Sequence, residues 1–168
     1  ASQPEIIMVG MQSSFQAVEI NGLVAYISSS NAWLMESNTG NRRALVSTGD
    51  LDGRIFSISP DRDWLLFSRS NTSDETDLIN TLWVVNLTDL NAEPFKLSIS
   101  GEPVKNVVHY AEWVPGKPRT IAFSTVETRS TAPGWQANND LKMFTFSTSG
   151  VSSNYKIIIG TNPGGIYG

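Results

Sequence analysis

The sequence predicts an all-β fold, and three observations support this prediction. Short runs rich in Val, Ile, Phe, Tyr, Trp and Thr recur along the chain, each bounded by Gly, Pro, Asn, Asp or Ser. No segment combines the apolar spacing of a helix face with an N-cap before it and a Gly after it. The order strand, hairpin, strand, loop, strand, turn, strand occurs three times.

Composition limits the function classes. The chain has 168 residues, of which 40% are hydrophobic and 10% aromatic, as expected of a globular domain with a core. The net charge of −4 argues against a surface for nucleic acid or anionic lipid, both of which need clustered Lys and Arg. The absence of Cys excludes disulfides and thiolate metal sites. No apolar run is long enough for a membrane-spanning helix, so no membrane insertion is predicted.

The repeat is clearest in the second strand of each unit, at residues 23–28, 64–69 and 120–125. A hairpin signal precedes each of these strands, the first being Asn21-Gly22, where Asn and Gly tolerate a positive φ. Four strands of this length form one blade of a β-propeller. The units are predicted at residues 13–48, 54–100 and 107–160.

The whole chain, residues 1–168, is therefore predicted to be one β-propeller segment of three four-stranded antiparallel blades. Residues 161–168 would begin a further blade. Closed propellers have roughly four to eight blades, and an open one exposes strand edges. We therefore expect the segment to belong to a ring of about six to eight blades. The remaining blades would come from the same parent chain or from a second copy.

The second unit carries a family resemblance. The turn Ser59-Pro60-Asp61, the strand that ends in Phe67-Ser68 and the run at residues 82–86 resemble the repeat of TolB-like propellers. Arg62 stands where that repeat has a turn Gly, which predicts a differently relaxed turn. The resemblance implies an exported protein of the bacterial periplasm, cell envelope or extracellular space. Similar repeats also form the propellers of prolyl peptidases.

Residues 127–140 form the most unusual segment, predicted as a long loop. Trp135 lies there near Gln136 and Asn138, a composition suited to sugar or peptide binding. The alternative is that Trp135 packs against a neighbouring blade. By contrast, Trp33, Trp83 and Trp113 lie on predicted strands and are expected in the core.

His109 is the only histidine, and it lies on the predicted innermost strand of the third unit. Facing a propeller channel it could bind a ligand, with Glu112 and Arg54 at nearby channel positions. The alternative is a hydrogen-bonded structural histidine. The chain has no Gly-x-Ser-x-Gly elbow, so no catalytic residue is predicted.

Two acidic clusters are candidate metal ligands. Asp74, Glu75 and Asp77 lie in the predicted loop 70–80 but lack the spacing of a calcium-binding loop, so a solvated hairpin is favoured. Asp50 and Asp52, followed by Gly53, are interpreted as a turn. No metal or cofactor is expected.

The sequence predicts a non-enzymatic interaction scaffold that binds a protein or glycan partner through blade loops. Two alternatives stay open at this point. The chain could be the gating propeller of a larger prolyl-peptidase-like hydrolase, or a structural subunit that assembles edge to edge.

Overall fold

The computed structural model describes residues 16–70, 80–97, 106–128, 132, 135–137, 141–148 and 156–159. These residues form three antiparallel β-sheets and contain no helix, so the all-β prediction is confirmed. Within these ranges there is consequently no helix that could cross a membrane.

The first sheet follows the chain order, with β1 at Gln16–Ile20, β2 at Leu23–Ser28, β3 at Asn31–Glu36 and β4 at Arg42–Val46. Asn21 and Gly22 join β1 to β2 with φ values of 47° and 85°. Two successive positive φ values match the right-handed twist of a hairpin. The amide of Gly22 also donates to the Glu19 carboxylate over 2.7 Å, which fixes the predicted turn.

The second sheet contains β5 at Leu51–Ile58, β6 at Trp64–Ser70, β7 at Asn80–Asn86 and β8 at Phe95–Lys96, again in chain order. The turn between β5 and β6 corrects one expectation. Arg62 replaces the usual Gly but keeps a positive φ of 69°, so the turn retains the conformation that favours glycine. The amide of Arg62 donates to the Ser59 carbonyl over 2.9 Å, and the Ser59 hydroxyl accepts from the Trp64 amide over 3.0 Å. These hydrogen bonds hold Arg62 at a positive φ, a conformation that residues other than glycine rarely adopt.

The third sheet contains β9 at Asn106–Trp113, β10 at Thr120–Thr128, β11 at Trp135–Ala137, β12 at Leu141–Thr145 and β13 at Lys156–Ile159. Because β9 occupies one edge of β10, both β11 and β12 pair along the other edge. The expectation of a continuous loop over residues 127–140 is therefore wrong. Glu127 and Thr128 extend β10, and Trp135 and Gln136 belong to β11.

The chain divides into two compact units, residues 1–69 with 83–95, and residues 70–82 with 96–168. The core cluster of the first unit contains residues of β2 to β7, with Ala25, Leu65 and Phe67 fully buried. In the second unit, Phe123 and Phe144 meet edge to face with ring centres 5.5 Å apart. Of the three predicted core tryptophans, Trp113 is buried, Trp83 is half-buried but packs against the core cluster of the first unit, and Trp33 is half-buried. Strand alternation places these two on the opposite face from the buried Leu34 and Val84.

Candidate functional site

A large bulge interrupts the pairing of β5 with β6. Leu51 lies opposite Arg69 and Phe56 opposite Phe67, so residues 52–55 face Ser68 alone. The fully buried Ser68 hydroxyl accepts from the Ile55 amide over 3.0 Å and donates to the Asp52 carboxylate.

Asp52 and Gly53 complete the bulge. The Asp52 carboxylate accepts the Arg54 amide over 3.0 Å, and Gly53 has a φ of 71°. Side-chain bonds thus replace the regular ladder, and Arg54 is exposed on the bulged segment. The prediction of a turn at Asp52-Gly53 is wrong, because both residues belong to the bulge within β5.

An ion pair anchors the start of this bulge. The Arg69 guanidinium donates to both oxygens of Asp50, over 2.9 and 3.0 Å from Nε and 2.9 Å from the second nitrogen. It also lies 4.3 Å from the ring centre of Trp83. Burial raises the pKa of Asp50, but the hydrogen bonds from Arg69 and Thr48 outweigh it, and the pKa is lowered overall. Asp50 is therefore a charged structural partner of Arg69.

A second bulge lies in β9. Tyr110 pairs with Ser124 while Val108 pairs with Thr125, which leaves His109 as the extra residue. His109, Tyr110 and Glu112 are all exposed, and Tyr110 keeps 44% of its surface accessible. Among the described strands β9 pairs only with β10, so its other edge is unpaired there. The bulge therefore brings three chemically different side chains together on an accessible strand.

The two faces of the third sheet differ. Ile121, Phe123 and Phe144 are buried on one face. The other face is only partly covered, because Ala122, Ser124 and Met143 are half-buried. The register places Glu112 opposite Ala122 and Tyr110 opposite Ser124, so both exposed side chains belong to this second, open face.

The predicted site residues lie on different elements of the structure. His109 and Glu112 lie on the same strand, and the His109 side chain forms no hydrogen bond with another described residue. Arg54 belongs to the other compact unit and is described there by itself. Trp135 and Gln136 contribute backbone to β11, and Asn138 lies outside the described residues.

Sequence reasoning missed Tyr110. Its spacing of two residues from Glu112 is a signal for a shared strand face, since side chains alternate along a strand. This alternation is regular in the structure, because the bulge at His109 precedes both residues.

No metal centre is formed by the residues that the structure describes, since no group of three His, Asp or Glu side chains comes together there. Asp50 and Asp52 are instead bound to Arg69 and Ser68. The acidic cluster of Asp74, Glu75 and Asp77 lies outside the described residues.

Comparisons with known proteins bear on the fold. No family model and no curated protein matches the chain, so the resemblance to TolB-like repeats stays a prediction. The chain is similar to Porphyromonas gingivalis dipeptidyl peptidase 4, with a TM-score of 0.60 and 14% identity, covering 86% of this chain and 25% of that chain. A Saccharomyces cerevisiae complex of Dbp5 and Nup159 matches with a TM-score of 0.47 and 11% identity, covering 84% and 36%. The second match is too weak to carry an argument. This chain spans about a quarter of the peptidase chain, and the likeness indicates an all-β, β-propeller-like fold.

Proposed function

We propose that the protein is a non-enzymatic binding module, and that a segment of a partner protein contacts the open face of the third sheet through His109, Tyr110 and Glu112. The bulge at His109 is the observation that carries this proposal. Bulges re-aim side chains and are enriched beside functional sites. Here His109, Tyr110 and Glu112 are exposed at the bulge, while Val108 and Ala111 of the same strand are buried.

The chemistry of these residues suits a polar peptide segment. Tyr110 offers aromatic area together with a hydroxyl, a combination favoured at protein interfaces. Glu112 offers a carboxylate to a basic or hydrogen-bonding group, and His109 can donate or accept. A bulged edge is a poor template for adding a regular strand, so recognition would depend on side chains.

We extend the proposal to an exported, cell-envelope location. Its support is the resemblance of residues 59–68 and 82–86 to TolB-like repeats. The absence of Cys is compatible both with export and with a location inside the cell.

A second candidate function is the propeller portion of a larger prolyl-peptidase-like hydrolase. The likeness to dipeptidyl peptidase 4 favours it as a candidate. The nucleophile would then belong to another part of the protein, because this chain has no Gly-x-Ser-x-Gly elbow. Sequencing the gene beyond the Gly168 codon separates the two functions. A hydrolase elbow downstream supports the peptidase, and a reading frame without one supports the binding module.

The binding proposal is tested by selecting ligands from a phage-displayed random peptide library on the immobilised protein. Selected peptides should bind the double variant Tyr110→Ala, Glu112→Gln at least about tenfold more weakly. The control variant Lys96→Gln changes an exposed side chain of β8 and should leave binding unchanged. Equal binding to all three proteins, or selection of glycans but no peptides on a parallel array, would overturn the proposal.

A further inference from the structure

A cleft of about 420 Å³ opens at one end of the third sheet. Its lining includes Lys117, Thr120, Met143, Thr145 and Lys156. This volume lies within the range of roughly 300–1,000 Å³ that is common for small-molecule sites. Neither Arg54, His109, Tyr110 nor Glu112 lines it, so the cleft is a second patch on the same open face of the third sheet.

The strand register explains why these side chains meet. Thr120 pairs with Thr145, Ala122 with Met143, and Met143 with Lys156. Residues that pair directly across strands share a sheet face, so these five strand residues lie on one face of the third sheet. Lys117 approaches from the turn between β9 and β10, which Gly116 allows with its φ of 80°. The Lys117 amide closes that turn by donating to the Val114 carbonyl over 3.2 Å.

The cleft holds two cations and no acid. Neither Lys117 nor Lys156 forms an ion pair or side-chain hydrogen bond with another described residue. Residues 149–155, which connect β12 to β13, contain no Asp or Glu. Glu112 is three strands away from Lys156 in the same cross-strand row, or about 14 Å at roughly 4.8 Å per strand. This local positive charge contrasts with the net charge of −4.

The threonines add polar lining but little free hydrogen-bonding capacity. The Thr120 hydroxyl donates to the Pro118 carbonyl over 3.1 Å, and it lies 2.8 Å from the Thr145 hydroxyl. Since Thr120 has one hydroxyl proton, Thr145 is the donor in that pair. The attraction for a ligand therefore comes from the two ammonium groups.

We propose that this cleft binds a small oxyanion, a phosphate or carboxylate group, between Lys117 and Lys156. Two ammonium groups on one cleft favour an anion with at least two charged oxygens. Apolar area from Met143 would contact the body of a small organic acid or phosphate ester.

The test is a titration of the full chain with inorganic phosphate and, separately, with succinate, followed by amide NMR shifts at low ionic strength. Shifts should be largest at residues 116–120 and 156–157. The double variant Lys117→Gln, Lys156→Gln should weaken binding at least about tenfold, while Lys96→Gln should leave it unchanged. Tighter binding of one probe identifies phosphate or carboxylate as the preferred group. Shifts that survive in the double variant, or that are spread evenly over all exposed lysines, would overturn the proposal.

Discussion

Arg69 holds Asp50 through a two-pronged ion pair that joins β6 to the residue just before β5. Both side chains are about three-quarters buried, at 21% and 27% accessible surface, and the Arg69 guanidinium also covers Trp83. The pair fixes the strand end where the large bulge of β5 begins. It therefore links the stability of the second sheet to the presentation of Arg54.

Replacing Asp50 with Asn should destabilise the protein at neutral pH by about 1 kcal/mol, because the ion pair is bidentate and partly buried. The pKa of Asp50 is lowered in the folded state, so its contribution is present above the ordinary value of 3.8 and is lost as the pH falls through the folded pKa. Urea unfolding measures the free energy of unfolding of the wild type and of Asp50→Asn. The difference between the two proteins should be smaller at pH 3 than at pH 7. Asp63→Asn is the control, since no described group pairs with that carboxylate. An advantage of equal size at both pH values would contradict this assignment.

Ser68→Ala should cost about 1–3 kcal/mol, because the Ile55 amide and the Asp52 carboxylate each lose a buried partner. Ser124 occupies the corresponding position of the third sheet but is only half-buried, and its hydroxyl forms no hydrogen bond with another described residue. Ser124→Ala should therefore stay within about 0.5 kcal/mol of wild type. Thermal and urea unfolding of both variants measure the difference. Equal effects would show that Ser68 does not hold the bulge.

Arg62→Gly should stabilise the protein by about 0.5–1 kcal/mol, because Arg62 adopts a φ of 69° that glycine adopts without strain. Arg119 has a similar φ of 53°, but its Nε donates to the Phe146 carbonyl over 2.9 Å. Arg119→Gly should therefore gain nothing, since the lost hydrogen bond offsets the relief of strain. Denaturant midpoints of the two variants decide this. A loss of stability in Arg62→Gly would mean that its side chain makes a stabilising contact.

Much of the fold could be predicted from local patterns. The run at 23–28 is apolar and bounded by Asn21-Gly22, so both the strand and its hairpin follow from residue preferences. The bulges could not be predicted in this way. Asp52-Gly53 has the composition of a turn, and only the pairing of Leu51 with Arg69 reveals that the strand continues on both sides. Likewise, β11 is three residues long and depends on Val126, Glu127 and Thr128 as partners.

The candidate site was predictable in part for the same reason. His109 is identifiable as the only histidine, on the predicted innermost strand, and Glu112 as a nearby channel position. Tyr110 and the cleft lysines were not, because their exposure depends on which sheet face is covered. Lys117 and Lys156 are far apart in sequence, and only the register of β12 with β13 brings Lys156 to the face that the turn approaches.

Amide hydrogen exchange with a bound peptide tests whether the open face of the third sheet is a binding surface. Amide hydrogen exchange of the wild-type protein is compared with and without a selected peptide, alongside the variant Tyr110→Ala, Glu112→Gln. We expect the peptide to protect β9 around residues 109–112 in the wild type and to give no protection in the variant, whose free-state exchange stays that of a folded protein. Protection located elsewhere, or retained in the variant, would contradict the claim.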